Sequence, residues 1–301
     1  MKKRLSIIVS MVLILVMFVS CGGVKKPEYT IYVLNKLDDG ATSQSGDDSS
    51  NENGIPAKAF DGSAYFFRGK QDIENDDSVP ESCTYKIDGK EYNIKLSEAH
   101  KTVVADSKSE RLRNHSKYAI YHSSGTEAVI YNLVTKRIEA ILLMKNEITE
   151  ETATQNISKE QAKGIAERAV KDLYGDNIFK EYAKCDIKIG PDGITGEDLF
   201  FVSYIRCVHG TDTIDDITVA VRANGNIKYI QAYKLGIMAN VEKDIKKEEI
   251  DNAFNALKEH FPDKNLCSPV LGICIDGEYY LRCIVYGSEP DDYTSAYVNI
   301  R

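Results

Sequence analysis

Residues 157–175, ISKEQAKGIAERAVKDLYG, hold the clearest fold signal in this 301-residue chain. Ser158 and Gln161 match the S-x-x-Q capping box, in which two side chains satisfy free backbone N–H groups at the start of a helix. Gly175 is a typical helix stop. The stretch predicts an amphipathic helix, and its apolar face consists of Ala162, Ile165, Ala166, Ala169, Val170 and Leu173.

Alternating apolar and polar residues on both sides of this helix predict strands. Asn224-Gly225 predicts a hairpin turn after the helix, and Asp88-Gly89 and Ser124-Gly125 predict two turns before it. One helix beside a strand meander indicates the α+β class, with the helix lying across an antiparallel sheet. The predicted strands are 83–87, 91–96, 117–123, 127–133, 137–144, 184–189, 199–208, 217–221 and 227–233.

The same order of elements returns near the end of the chain. Apolar positions from 245 to 257 superimpose on those from 157 to 169 at a constant offset of 88, and Pro262 ends this second helix. Three alternating stretches follow. The sequence therefore predicts a duplicated module of one amphipathic helix packed on an antiparallel sheet, preceded by a β-rich N-terminal segment.

The residues of the first module resemble the PepSY family. The resemblance is carried by ISKEQAKGIAERAV and by the later hairpin VAVRANGNIKYI, with Arg222 in place of the usual acidic residue and Asn224-Gly225 in place of Thr-Gly. VIYNLVTKRI, residues 129–138, resembles the same hairpin, with Lys136 in place of Gly. Modules of this family occur in exported peptidase propeptides and envelope lipoproteins. The resemblance implies a non-catalytic binding or inhibitory module, with no catalytic, cofactor or metal residues to carry over.

The first 22 residues resemble the export signal of a bacterial lipoprotein. Lys2, Lys3 and Arg4 precede an apolar run of 15 residues, which is short for a membrane-spanning helix. Phe18-Val19-Ser20-Cys21-Gly22 resembles a lipobox, with Phe18 where Leu is usual. We expect cleavage before Cys21, attachment of diacylglycerol to its thiol, and anchoring on the extracytoplasmic face of the cell membrane. An ordinary signal peptide with a chance cysteine is the alternative.

These patterns divide the chain into five segments. Residues 38–54 are too polar to form a core, which suits a tether between lipid and domain. The predicted segments are a signal peptide at 1–20, a lipid-anchored tether with short strands at 21–80, a β-rich segment at 81–150, a PepSY-like module at 151–240 and a shortened second module at 241–301.

The net charge argues against nucleic-acid partners. It is −8 for the whole chain, and loss of three positive residues with the signal makes it −11. An acidic surface repels phosphate backbones. Membrane attachment must then come from the lipid on Cys21.

Cysteine spacing favours no catalytic or metal site. The six cysteines after Cys21 contain no C-x-x-C pair. Cys185 and Cys207 fall on consecutive predicted strands, where a disulfide between them is possible, although buried free thiols are the simpler interpretation. Asp212, Asp215 and Asp216 are interpreted as a solvated turn, with a weak cation site as the alternative.

Three functions fit these patterns, in decreasing order of support. The first is a binding module that contacts an envelope protein or peptidase. The second is a lipoprotein that binds a small ligand. The third is an enzyme with an unfamiliar site, which would need a pocket of cysteine, histidine and carboxylate groups with shifted pKa values.

Overall fold

Among the residues whose structure is described, alternating strands joined by tight turns build the dominant element, a sheet of 15 strands. Four helices accompany it in the part of the chain that the structure describes, so the fold is of the α+β class, as predicted. The structure is a computed structural model, and it describes residues 29–35, 71–72, 79–101, 109–115, 117–122, 127–143, 156–192, 196–274, 277–287 and 293–300. The predicted signal at 1–20, Cys21 and the polar segment 38–54 lie outside these residues.

The strands and helices follow one another in this order: β1 Ile31–Asn35, β2 Gln71–Asp72, β3 Ser82–Ile87, β4 Lys90–Lys101, α1 Glu110–Arg113, β5 Lys117–His122, β6 Glu127–Asn132, β7 Arg137–Leu143, α2 Lys159–Tyr174, α3 Ile178–Glu181, β8 Lys184–Pro191, β9 Asp198–Val208, β10 Thr211–Arg222, β11 Ile227–Gln231, a 3₁₀ turn Val241–Lys243, α4 Lys247–His260, β12 Asn265–Leu266, β13 Val270–Ile273, β14 Tyr279–Tyr286 and β15 Tyr293–Asn299.

The predicted capped helix is α2. The backbone N–H of Gln161 donates to Ser158 Oγ at 3.2 Å, and the N–H of Ser158 donates to Gln161 Oε1 at 2.7 Å. Gly175 ends the helix with φ of +80°. Ala162, Ala166, Ala169 and Val170 are buried along its inner face. The local sequence thus sets both the bounds and the buried face of this helix.

Two-residue turns join several of the antiparallel pairs. Asp88 and Gly89 have φ of 50° and 80° between β3 and β4, which is the pattern of a type I′ turn. His209 and Gly210 repeat it between β9 and β10, with φ of 51° and 85°. Turns of this kind match the twist of the flanking strands and fix their register.

Strand β10 is the centre of the sheet. It pairs antiparallel with β9 on both sides of an irregularity between Asp212 and Asp216, and β8 lies beyond β9. On its other edge it pairs with β11 from Thr218 onwards and, in parallel, with β13 through Asp212 and Thr213. The sheet continues from β11 through β7, β6 and β5 to β4, and from β13 through β14 and β15 to β1.

The sheet curves around α2 and encloses the main core. The helix contacts β9 and β10, and also β3, which is reached from β10 only through β11, β7, β6, β5 and β4. Strands this distant in the sheet can contact one helix only if the sheet bends around it. The enclosed apolar side chains include Tyr85, Tyr121, Ile141, Val202 and Ile217.

Helix α4 packs on the other end of the sheet, against β14 and β15. It buries Ile250, Ala253 and Leu257. Paired residues on neighbouring strands point to the same face of a sheet. Residue pairs join β10 to β13 and β13 to β14. They place α2 and α4 on the same face of the sheet.

The first described strand pairs with the last. Val33 in β1 lies opposite Ala296 in β15, and five residue pairs join these strands. The sequence predicted short strands within residues 21–80 but not the partner of β1, because pairing across most of the chain leaves no local pattern in the sequence.

Candidate binding groove

A groove of about 440 Å³ lies on the sheet face opposite α2 and α4. Cys185 and Ile187 of β8 pack into the core beneath α2, so their neighbours along the strand point to the other face. Strands β8, β10, β14 and β15 supply most of the lining. The side chains that matter below are Lys184, Lys188, Asp212, Lys234, Arg282 and Tyr297, and we call this the Arg282 groove.

Positive charge exceeds negative charge along the groove. Four cationic side chains line it, against the two carboxylates of Asp186 and Asp212. The chain as a whole has a net charge of −8, so this surface is opposite in sign to the rest of the protein. A local positive field of this kind attracts acidic ligands while the acidic remainder repels them.

Ion pairs at the rim neutralise part of this charge. Lys184 Nζ donates to Asp212 Oδ1 at 2.7 Å, and this hydrogen bond raises the pKa of Lys184. Lys188 Nζ lies 3.5 Å from Asp186 Oδ2, with both side chains exposed. Exposed pairs contribute little to stability and exchange partners readily. Lys188 is therefore available to an incoming carboxylate.

Arg282 in the groove has no such partner. No carboxylate of the described residues lies within ion-pair distance of its guanidinium, and its Nε is buried without a hydrogen-bond acceptor. Its Nη2 donates to Ser295 Oγ at 3.4 Å, and its Cζ lies 5.9 Å from the ring centroid of Tyr297. A partly buried cation without a counter-charge is costly, because few groups replace its lost hydration.

The sequence contains one signal that could have identified Arg282 as a candidate. It is the only charged residue in the strand segment YYLRCIVY of β14. A charge in an otherwise apolar strand usually marks a side chain that turns to solvent or meets a partner, and here the ring of Tyr297 holds it in the groove.

A second polar cluster lies near α3 around a fully buried carboxylate. Asp215 is 0 % exposed, and its Oδ1 accepts hydrogen bonds from Tyr182 Oη at 2.6 Å and from the N–H of Gly236 at 3.0 Å. Its Oδ2 accepts from Arg206 Nε at 2.9 Å and from the N–H of Met238 at 3.1 Å. The carboxylate thus fastens the segment after β11 to β10.

The interpretation of Asp212, Asp215 and Asp216 as a solvated turn is wrong. All three lie within β10, where a register shift between Asp212 and Asp216 marks a bulge. A bulge redirects the side chains beside it. Here it turns Asp215 inward, where Arg206 supplies the counter-charge.

The two cysteines considered for a disulfide are not brought together. Cys185 lies opposite Tyr204, and Cys207 lies opposite Asp212. Both are free thiols, and Cys207 Sγ lies 3.6 Å from Asp212 Oδ1. Burial raises the pKa of each thiol, which disfavours the reactive thiolate. Cys21 lies outside the described residues.

The described part of the chain shows neither a metal-binding cluster nor a membrane-spanning helix. Within it, no group of three or more histidine, cysteine, aspartate or glutamate side chains is placed to hold a metal ion. Within the same residues, no helix has the length and apolar character needed to cross a membrane.

Comparison with known proteins gives one distant likeness. No family model and no curated protein matches the chain. Among solved structures, the C-terminal domain of Bacillus megaterium YpeB is similar at 11 % sequence identity over 89 % of this chain and 83 % of that chain, with a TM-score of 0.32. A likeness of this degree carries no argument about function.

Proposed function

We propose that this chain is a lipid-anchored, non-catalytic binding module of the cell envelope, and that the Arg282 groove binds an acidic segment of an envelope protein or peptidase. The observation that carries the proposal is the partly buried guanidinium of Arg282, which lacks a carboxylate partner in the described chain.

Binding would relieve the cost of leaving this cation unpaired. A carboxylate placed against Arg282 gains a charge-assisted hydrogen bond, and the planar guanidinium can hold it through two parallel bonds. Truncation of a fully desolvated charged contact typically costs several kcal/mol of binding energy, so Arg282 is expected to dominate the affinity.

The lysines at the rim would set the rate of encounter. Lys184, Lys188 and Lys234 place positive charge around Arg282. Charges of this kind attract an acidic partner over roughly the Debye length, about 8 Å at physiological ionic strength. Association is therefore expected to slow as salt is raised.

The proposal also holds that the chain contains two copies of a module in which one helix packs on an antiparallel sheet. Helix α2 accompanies the antiparallel strands β8–β11, and helix α4 accompanies the antiparallel strands β13–β15. Both helices lie on the same face of the sheet. The Arg282 groove lies on the opposite face of the sheet. The resemblance of residues 157–234 to PepSY modules supports a binding role without chemistry.

The proposal also includes the anchor. The resemblance of residues 18–22 to a lipobox supports a diacylglycerol thioether on Cys21, with removal of residues 1–20. Residues 22–30 would then link the lipid to β1, the first strand of the sheet. A partner fixed in the envelope would meet the groove at a high local concentration.

Zero-length crosslinking tests the binding site directly. The full chain in detergent is incubated with envelope fractions of the source cell and treated with a carbodiimide, which couples lysine Nζ to a contacting carboxylate. Crosslinks from Lys184, Lys188 or Lys234 to an acidic segment of one partner are expected.

Two variants make that result decisive. Arg282→Gln should reduce recovery of the partner by at least about tenfold, whereas Arg168→Gln should not, because Arg168 is an exposed arginine on α2, on the opposite face. Crosslinks that fall on α2 lysines such as Lys159 or Lys171, or equal recovery with both variants, would show that the groove is not the binding surface.

A further inference from the structure

A second cleft, separate from the Arg282 groove, lies where α1, the β6–β7 turn, β9 and the segment after β11 meet. Its volume is about 380 Å³, within the range of small-molecule sites. Three arginines, Arg111, Arg137 and Arg206, line it together with His115 and Thr135, and we call it the arginine cleft.

Two of these arginines are held in place from behind. Arg206 Nε donates to the buried Asp215, and Arg206 also pairs with Glu181 at the rim. Arg111 Nη2 donates to Asp244 Oδ2 at 2.9 Å, and its Nη1 donates to the carbonyl oxygen of Ala239. These contacts fix the guanidinium groups, so little side-chain entropy remains to be lost when a ligand binds.

Arg137 supplies positive charge that the protein does not neutralise. It lies at the start of β7, and no carboxylate of the described residues forms an ion pair with it. The acidic groups around the cleft are already engaged: Glu181 and Asp215 with Arg206, Asp244 with Arg111, and Glu139 with His115. Arg137 is therefore the arginine of the cleft that has no carboxylate partner among the described residues.

Thr135 adds a hydrogen-bond donor. Its Oγ1 is buried and has no hydrogen-bond partner in the described structure. A buried hydroxyl without a partner costs free energy, which a ligand oxygen would recover. Thr135 and Arg137 are two residues apart at the end of one hairpin, so the hairpin brings both groups to the same cleft.

We propose that the arginine cleft binds one small oxyanion, a phosphate or a carboxylate group, between Arg137, Thr135 Oγ1 and the two fixed arginines. Guanidinium groups match the geometry of both anions and bind either through paired N–H donors. This site is independent of the proposed protein partner and of the Arg282 groove.

Calorimetric titration of the full chain in detergent tests the site. Inorganic phosphate and acetate are titrated separately at constant ionic strength, with chloride as the balancing anion. Saturable binding of at least one of them is expected. A preference of about tenfold or more for one identifies the group that the cleft recognises.

Three variants distinguish a built site from general charge attraction. Arg137→Gln and Thr135→Val should each weaken binding by about tenfold, the usual effect of losing one hydrogen bond to a charged ligand. Lys136→Gln removes the same charge one residue away, at a side chain that does not line the cleft, and should change binding by less than about twofold. Thermal melting of each variant checks that it is folded.

Two outcomes would overturn the proposal. One is the absence of saturable heat for either anion at up to about 10 mM, well above the dissociation constant expected for a built site. The other is equal weakening by Lys136→Gln and Arg137→Gln, which would mean that surface charge alone attracts the anion.

Discussion

Four hydrogen-bond donors converge on the buried carboxylate of Asp215, and each of its oxygens accepts two of them. Asparagine in its place would present an NH₂ group to two of those donors. We expect Asp215→Asn to lower the free energy of unfolding by about 3–5 kcal/mol, because Arg206 would lose its buried counter-charge and keep only Glu181 at the rim.

Denaturant unfolding of Asp215→Asn measures this loss. Asp176→Asn is the matched control, since Asp176 forms an exposed pair with Lys171 and should cost less than about 1 kcal/mol. Equal losses in the two variants would mean that the Asp215 cluster contributes no more than a surface ion pair.

Glu139 governs a pH dependence of stability. Its side chain is 0 % exposed, and burial raises its pKa above the ordinary 4.5, although contacts with His115 and Asn132 act in the opposite direction. The folded protein therefore holds this proton more tightly than the unfolded chain. Its contribution to stability is complete below about pH 4.5 and is lost as the pH rises through the folded pKa.

Glu139→Gln should remove this loss of stability at higher pH. Glutamine stays neutral, and its carbonyl oxygen can still accept the hydrogen bond that Asn132 Nδ2 now donates at 2.8 Å. Relative to the parent, the variant should gain stability as pH increases above about 4.5. Unfolding free energies across the pH range test the slope, and Glu167→Gln, which alters an exposed side chain, should leave it unchanged.

At the scale of single elements, the turn between β6 and β7 contains a measurable strain. Lys136 has φ of 57°, in the left-handed region, where an L side chain costs roughly 1–2 kcal/mol. This is the position at which the resembled hairpin has glycine. Asn132 Oδ1 stabilises the turn by accepting from the N–H groups of Val134 and Thr135.

Lys136→Gly should therefore raise the free energy of unfolding by about 1 kcal/mol. Val134→Gly in the same turn is the control, because Val134 has no left-handed strain to relieve and glycine there only increases the entropy of the unfolded chain. The midpoint temperature of thermal unfolding should rise for Lys136→Gly and fall for Val134→Gly. A lower midpoint temperature in both variants would contradict the proposal that Lys136 is strained.

Elements with a local cause were predictable from the sequence. The capping box at Ser158 and the two-residue turn at Asp88-Gly89 operate within a few residues, so the pattern alone locates them. The bulge that buries Asp215 was missed because its cause is distant. Arg206 and Tyr182, which make burial of this carboxylate possible, are set by packing between β9, β10 and α3.

At the scale of the whole molecule, β10 ties both ends of the sheet into one unit. It pairs with β11 towards the N-terminal strands and with β13 towards the C-terminal strands. Asp244 adds a link, since it accepts hydrogen bonds from Arg111 on one side and Tyr279 on the other. We expect the full chain to unfold in a single transition, with equal calorimetric and van't Hoff enthalpies.

Leu257→Ala in α4 tests this cooperativity. It removes a fully buried side chain and should cost about 2–5 kcal/mol, shifting the entire transition to lower temperature. Lys258→Ala, at an exposed neighbour, should shift it little. A second, separate transition in Leu257→Ala would show that residues 241–301 unfold independently of the rest.

Long-range pairing explains what sequence reasoning missed at this scale. Most of the strands were predicted, although β2 and β12 were not. The neighbours of β10, the pairing of β7 with β11 and the two faces of the sheet depend on contacts between distant residues. Arg282 became a candidate only once β14 and β15 placed it in the groove beside Tyr297.

The pairing of β1 with β15 has a mechanical consequence. If Cys21 carries the lipid as proposed, any tension between membrane and protein enters the sheet at the first residue of β1. The five residue pairs with β15 are then the first strand pairing to bear that load. A partner pulling on the groove would strain this short ladder first, which makes β1 the natural breaking point between the anchor and the domain.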